Sequence, residues 1–284
     1  MSQRLLILGC GYLGSRLAEA ADHSEFTVDA LSRNADTCRA LQDLGVDRVL
    51  QSDLADTGWH GQVNPADYAA IVLCVGSAQS DQQGYRESYL DGTRSLIAWA
   101  QKDFHGKILY TSSISVYGDA DSAWVDETTS PLPESWRGAI ILESEQLLSR
   151  AFPRQSLIFR LGGLYGPGRN RFLRTREQSN PNPFSEHYLN LIHVQDAAEA
   201  LLHAIRLPNT GHSLYNLTDN HPVKRSELRD YLSTRYPETE TESTPTRRHR
   251  APTPNRRVRS ALIREDLSWN PVYPNVFDAI PHMV

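Results

Sequence analysis

The residues with the clearest chemical potential stand near the start of the chain, where Gly9, Gly11 and Gly14 follow the apolar run 5–8 in a Gly-x-Gly-x-x-Gly spacing. A strand, such a loop and then a helical stretch present free backbone N–H groups and the positive end of a helix dipole to an anion. The first glycine permits the tight turn, the second lets a pyrophosphate approach the backbone, and the third lets helix pack on strand. The expected ligand is a dinucleotide, with Gly9, Gly11, Tyr12, Leu13 and Gly14 around its pyrophosphate.

The end of the second strand selects the dinucleotide. An acid there accepts the ribose 2′-hydroxyl of NAD, whereas an arginine accommodates the 2′-phosphate of NADP. The run 26–31 is followed by Ser32, Arg33 and Asn34. Asp29 lies about twenty residues beyond Gly9, the spacing of the acid rule, yet it precedes the strand end and reads as a strand-interior or helix-packing residue. Arg33 is then the phosphate fork, with Ser32 beside it, and NADP is expected ahead of NAD. The alternative for Arg33 is a solvated loop residue. Asp53 and Leu54 follow the third strand and are placed near the adenine. Val75 and Gly76 after the fourth strand, and Thr111 in the fifth, are placed along the same cofactor edge.

The elements that must position these residues are legible as an alternation. Apolar runs of strand length at 4–9, 26–31, 48–51, 69–76, 107–111 and 156–161 are separated by helical spacings at 12–23, 35–44, 83–102 and 136–152. Continuous apolar runs are the mark of parallel strands buried on both faces. The expected fold is α/β, a Rossmann-type doubly wound parallel sheet whose strand C-terminal ends form one ligand-binding edge. Residues 1–165 are assigned to this nucleotide-binding domain. Beyond them Gly166, Pro167 and Gly168 and the stretch 180–183 break the chain into loops. Strand–helix units return at 190–206 and 213–236, and 237–254 reads as a long surface loop. The segment 166–284 is expected to complete the sheet and to form a small, discontinuous substrate-binding lobe.

At 284 residues the chain is long enough to bury a substantial core, which argues against a structural or disordered role. A formal charge of -5 gives no general attraction to nucleic acid or to anionic membranes. No apolar run approaches the roughly 18 residues of a spanning helix. The first strand starts too close to Met1 to leave room for a secretory signal. Cys10, Cys38 and Cys74 show neither disulfide nor metal-ligand spacing, so no metal site is expected and a reducing compartment fits. Cys10 and Cys74 read as buried filler rather than reactive thiols. The chain is expected in the cytoplasm, with a small-molecule substrate and neither nucleic acid nor membrane as a partner.

Several segments, taken in order, resemble the extended and atypical short-chain dehydrogenase/reductases, in particular the NAD-dependent epimerase/dehydratase group. They are GCGYLG at 9–14, DL at 53–54, YLDGT at 89–93, YTSSISVYG at 110–118 and DETTSPLP at 126–133. RLGGLYGPGR at 160–169, IHVQDAA at 192–198 and YNLTD at 215–219 continue the match, and RRVRSALIREDLSW at 256–269 is similar to the closing segment of the YeeZ-like branch. The resemblance implies NAD(P) on the sheet edge and a Ser or Thr acting with a Tyr-x-x-x-Lys pair. In that pair Tyr is the acid or base, and Lys lowers its pKa and holds the nicotinamide ribose.

Ser113, four residues before Tyr117, falls where the family carries its catalytic Ser or Thr. A strand-end hydroxyl that caps backbone is the other reading. The Tyr–Lys pair itself is missing. Family spacing puts Arg137 at the Tyr position and Ile141 at the Lys position; no Tyr has Lys four residues later, and no Lys occurs between Lys107 and Lys224. Arg137 stays protonated and cannot be a base, but it can anchor a carboxylate or phosphate. Tyr117 and His193 are further acid–base candidates, weighed against a packed aromatic and a satisfied core histidine. Glu143 and Glu145 share the helix with Arg137 and are expected to point elsewhere. The cluster Arg247, Arg248, Arg250, Arg256, Arg257 and Arg259 reads as a loop balanced by Glu238, Glu240 and Glu242, or as a closure over an anionic substrate through Arg257. It lacks the aromatic platform of a nucleic-acid site.

The expectation is an NADP-binding atypical short-chain dehydrogenase/reductase acting on a small polar, sugar-like or anionic substrate, with Ser113 and Arg137 as its catalytic residues. A non-catalytic NADP(H)-binding redox sensor or partner-binding protein is the alternative. The helices at 83–102 and 136–152 allow either a monomer or a homodimer.

Overall fold

The structure is a computed structural model that describes residues 2–77, 79–169, 186–208, 210–236 and 254–283. The first half runs β1 (Gln3–Leu8), α1 (Tyr12–Ala20), β2 (Phe26–Ser32), α2 (Ala35–Asp43), β3 (Arg48–Gln51) and β4 (Ala70–Leu73). A continuous helix follows, α3 (Gln82–Tyr85) and α4 (Gly92–Ala100) joined by a π-helical stretch at Arg86–Asp91. Next come β5 (Lys107–Ser113), β6 (Trp124–Val125), α5 (Trp136–Ala151) and β7 (Ser156–Leu161). The remainder is β8 (Gly163–Tyr165), β9 (Tyr188–Leu189), β10 (Leu191–His193), α6 (Val194–Arg206), β11 (Leu214–Leu217), β12 (Val223–Lys224), α7 (Arg225–Arg235), β13 (Arg257–Val258), α8 (Ala261–Leu267) and α9 (Val276–Ala279).

The central sheet has seven strands in the order β11-β7-β5-β4-β1-β2-β3, every pair parallel. Alternation along each strand divides the core in two. Leu5 and Ile7 of β1 face a layer with Leu13 and Leu17 of α1 and Leu201 of α6, while Leu6 and Leu8 face Leu96 and Trp99 of α4 and Leu148 of α5. Each fully buried aliphatic side chain contributes roughly 1.5–3 kcal/mol, so these two layers outweigh any surface ion pair in holding the strands. The expected doubly wound α/β sheet is observed. Because the chain winds outward in both directions from β1 and β4, a crevice opens between their C-terminal ends, the place where such sheets bind ligands.

The later segment supplies β11, which pairs with β7 at the sheet edge. Its outer backbone groups are covered by side chains: Asn216 N–H donates to Glu127 at 2.7 Å, and Ser260 Oγ donates to Asn216 O at 2.7 Å. This blunts an edge that would otherwise be open to strand addition. Short pairs β8–β10, β9–β12 and β6–β13 stack the remaining segments over the C-terminal end of the sheet. The stretch 180–183 and residues 237–253, with Arg247, Arg248 and Arg250, lie outside the described residues.

Candidate functional site

Between β1 and α1 the three glycines do different work. Gly9 has φ +93°, and a Cβ there would lie 3.0 Å from the Cys74 carbonyl and from Val75 Cα. A Cβ on Gly14 would lie 2.7 Å from Gly9 O, so helix and turn are in direct backbone contact. Gly11 is the opposite case, with nothing within 4 Å of its would-be Cβ. Gly9 N and Cys10 N both donate to Leu31 O at 3.0 Å, which ties the loop to the end of β2. No side chain caps α1, so its first-turn N–H groups, which a helix leaves without internal acceptors, are the donors beside that open space. A cradle closed at Gly9 and Gly14 and open at Gly11 fits a phosphate group laid against the backbone.

The ends of β2, β3 and β4 converge beside this loop. Arg33 Nη1 is 3.3 Å from Asp53 Oδ2, and its Nη2 is 3.4 Å from Gly76 O, so three expected cofactor residues meet. Arg33 and Asp53 side chains are 41% and 40% exposed, a wet ion pair that a bound anion displaces at little cost. Ser32 is buried and accepts from Asn34 N–H, while Asn34 caps α2 through Thr37 N–H. Leu54 packs into the core against Gly92. Val75 packs at the margin of the same core layer, and Thr111 Oγ1 donates to Leu73 O at 3.1 Å, stitching β5 to β4. Asp29 is fully buried in mid-strand. Its carboxylate takes a 2.9 Å ion pair from Arg4 and a 2.6 Å hydrogen bond from Tyr68, which occupies it inside the fold.

On the other side of the crevice, Ser113 ends β5, and its Oγ accepts Ser115 N–H at 3.1 Å. That bond caps the turn and leaves the hydroxyl proton free to donate. Arg137 opens α5 behind the Ser135 cap; its Nη2 donates to Ser80 O at 2.7 Å and its guanidinium lies 4.5 Å from the Trp136 ring and 5.4 Å from Tyr85. One turn on, Ile141 is 6% exposed and packs with Val116, Tyr117, Val125 and Val258. An apolar cluster therefore fills the position where the family spacing places Lys.

Tyr117 is a packed aromatic: its ring is buried, its hydroxyl is 2.9 Å from both Asp126 O and Asn216 Oδ1, and burial raises the phenol above its usual range. His193 is likewise satisfied. Its Nδ1 accepts Gln195 N–H to cap α6, the ring lies between Tyr165 and Tyr273, and burial, aided by the charge of Arg16, pushes the imidazole down to about 4. Glu143 lies on the outer face, 3.7 Å from Arg94. Glu145 instead turns inward, because Arg160 stands buried near the end of β7 and requires a counter-charge. Arg160 Nη2 is 2.7 Å from Glu145 Oε2, Ser112 Oγ donates to the other carboxylate oxygen, and Arg160 lies 4.9 Å from the Tyr117 ring.

Two residues of the late arginine segment act on the same region. Arg256 donates to Ile114 O at 2.9 Å and to Gly118 O at 3.3 Å, bracing the turn that follows Ser113. Arg257 is held by Ser122 O at 2.7 Å between the rings of Trp124 and Tyr188. The sequence signal for the Arg160 network was an arginine inside an otherwise apolar strand. No local signal marked Arg256 as the brace, since its partners lie more than a hundred residues upstream in the chain. Cys10, Cys38 and Cys74 are buried free thiols, with burial raising the pKa of each.

A seven-stranded parallel sheet with a glycine-rich phosphate cradle at its switch point defines a dinucleotide-binding α/β protein. Comparison with known proteins gives the family. The model of the NAD-dependent epimerase/dehydratase family matches residues 5–218, and the chain belongs to that family. It is 30% identical to Protein YeeZ of Escherichia coli strain K12 over 229 residues, covering 78% of this chain and 80% of that one. A Methylobacillus flagellatus structure described as an NAD-dependent epimerase/dehydratase superposes with a TM-score of 0.81 at 26% identity, over 100% of this chain and 98% of the other. A Bacillus cereus UDP-glucuronic acid 4-epimerase, in complex with UDP-glucuronic acid and NAD, shares the fold with a TM-score of 0.79 at 17% identity, over 98% and 96% of the two chains. Among the described residues no helix is long and apolar enough to cross a membrane.

Proposed function

We propose that this chain binds NADP in preference to NAD along the C-terminal edge of its sheet and acts there on a small polar, sugar-like or anionic substrate. The observation that carries the cofactor choice is the pairing of an engaged acid with an available arginine. Asp29 is fully buried between Arg4 and Tyr68, whereas Arg33 stands half exposed at the strand end beside Gly76. Arg33 would take the 2′-phosphate, the N–H groups around Gly11 the pyrophosphate, and Asp53 the adenosine side. Bound nicotinamide supplies or accepts a hydride.

Toward substrate, the Ser113 hydroxyl keeps a proton to donate to a reacting oxygen, since its lone-pair side already holds Ser115 N–H. Arg137 uses Nη2 on Ser80 O and turns the rest of a permanently charged fork to a carboxylate or phosphate. The segment 166–284 forms the substrate lobe. An anionic sugar agrees with the UDP-glucuronic acid held by the Bacillus cereus relative. The buried free thiols and the absence of a spanning helix among the described residues agree with a cytoplasmic setting.

A second reading, a non-catalytic NADP(H)-binding redox sensor or partner-binding protein, is favoured by the burial of Ile141 at the Lys position. A screen of anionic sugars with NADP and NADPH separates the two. Turnover that falls at least tenfold in both Ser113→Ala and Arg137→Ala supports the enzyme; dinucleotide binding without turnover of any sugar supports the sensor. For the cofactor, calorimetric titration should show NADPH binding more tightly than NADH and Arg33→Ala reducing NADPH to the NADH level, a loss of roughly 10- to 100-fold for a charged hydrogen-bond pair. A wild-type preference for NADH, or an unchanged preference in the variant, would overturn the choice of NADP.

A further inference from the structure

Resting on the dinucleotide reading above, we propose that Arg169 is the counter-charge for the cofactor's pyrophosphate, with Tyr12 docking its turn at the mouth of the glycine cradle. Residues 166–169 form a tight turn closed by Arg169 N–H donating to Gly166 O at 3.0 Å, with Gly166 at φ +144° and Gly168 at φ +75°. The turn is pressed against the start of α1. A Cβ on Gly166 would lie 2.9 Å from Tyr12 Oη and 3.0 Å from His193 Nε2, so a side chain there would push the turn away.

Tyr12 fixes the turn in two ways. Its hydroxyl donates to Pro167 O at 3.0 Å, and the Arg169 guanidinium lies 5.4 Å from the centre of its ring. Tyr12 is also the first residue of α1, so the guanidinium sits one side chain away from the N–H groups that would meet the phosphates. Its charge also acts on Tyr89, where burial raises the phenol to about 12 and Arg169 opposes that rise.

The charge balance asks for such a group. A helix N-terminus offers about half a unit of positive charge, whereas a dinucleotide pyrophosphate carries about two negative charges. Gly11 contributes no cap; of the neighbouring cations, Arg16 pairs with Glu19 at 2.5 Å, and Arg33 stands at the end of β2, where the reading above gives it to the 2′-phosphate. Among the described residues no carboxylate pairs with Arg169, and its side chain is exposed. An arginine fork held over an aromatic face loses little freedom when it closes on two phosphate oxygens.

The test is a set of calorimetric titrations of the full chain, wild type and Arg169→Ala, with NADPH, NADH and adenosine 2′-monophosphate, the last carrying the 2′-phosphate without a pyrophosphate. Arg169→Ala is expected to weaken NADPH and NADH by the same factor, roughly 10- to 100-fold, and to leave adenosine 2′-monophosphate unchanged. Arg33→Ala should do the reverse, weakening NADPH and adenosine 2′-monophosphate and sparing NADH. Tyr12→Phe, which keeps the ring and drops the bond to Pro167, should weaken both dinucleotides alike by a smaller factor. Wild-type binding of dinucleotides that Arg169→Ala leaves intact, or an equal loss of adenosine 2′-monophosphate, overturns the role of Arg169 alone. A wild type that binds neither dinucleotide overturns the cofactor reading first.

Discussion

Gly11 and Gly14 belong to one motif and carry opposite constraints. Gly14 is a packing residue, since a methyl group there would meet the Gly9 carbonyl at 2.7 Å, and backbone cannot yield as a side-chain tip can. Gly14→Ala should therefore cost about 1–3 kcal/mol of stability, the usual range for overpacking, read as a lower urea midpoint with unchanged slope. Gly11 has open space in front of it and φ −89°, so neither packing nor a positive φ requires a glycine there, which is what the proposed ligand contact needs. Both roles were legible in the spacing, because the geometry of a strand–loop–helix turn is local. The same holds for Asp29 and Arg33, where position relative to the strand end separated a buried, engaged acid from a half-exposed arginine. Arg137 was legible as a fixed charge where the family spacing puts Tyr. Its stacking on Trp136 and Tyr85 was not, because Tyr85 comes from a helix far upstream in the chain.

At the scale of elements, α5, β5 and β7 are joined by one buried polar network in which Glu145 receives Arg160 and Ser112. Arg160 and Glu145 side chains are 4% and 6% exposed, so removing either leaves an uncompensated charge in the core. Glu145→Ala should destabilise the protein by about 3–5 kcal/mol in equilibrium urea unfolding, whereas Glu143→Ala, on the exposed face of the same helix, should change it by under about 1 kcal/mol. Helical spacing puts residues 140, 141 and 144 on one stripe of α5 with Arg137. Ile140, Ile141 and Ser144 are indeed buried, yet the stripe is wide enough to take in Glu145 once β7 presents an arginine beneath it. The strands matched their apolar runs closely for the same reason: a parallel strand buried on both faces needs little more than continuous apolar character. The π-helical stretch at Arg86–Asp91 left no such trace, since it widens a helix without changing which residues are apolar.

For the whole molecule, pH dependence is set in part by two buried groups at the C-terminal end of the sheet. Burial raises Asp219 from 3.8 to about 8, reinforced by Asp196 and opposed by His221 N–H and Arg264, while burial lowers His193 from 6.5 to about 4. Between 3.8 and about 8 the folded state holds a proton on Asp219 that the unfolded chain has lost, so this group's contribution to stability falls as pH rises. His193 acts with the opposite sign between about 4 and 6.5, where the unfolded chain holds the extra proton. Above 6.5 the Asp219 effect stands clear of the histidine. Asp219→Asn keeps an acceptor for His221 N–H and cannot ionise. Its unfolding free energy should gain about 1–2 kcal/mol on that of wild type between pH 6.5 and 8, as judged by urea denaturation at each pH. An unchanged difference across that window would mean that Asp219 ionises normally.

A dinucleotide site at the switch point of the sheet can be tested in isolation at Gly11. Gly11→Ala places a methyl group where the protein has nothing within 4 Å and where the proposed pyrophosphate would come close. Titration of NADPH into wild type and Gly11→Ala, with thermal melts of the ligand-free proteins alongside, is the most direct measurement. Melting temperatures should lie within about 2 °C of each other, and the NADPH affinity of the variant should fall at least tenfold. Equal NADPH affinity in the two proteins, or a wild type that binds no dinucleotide, would contradict the proposed site.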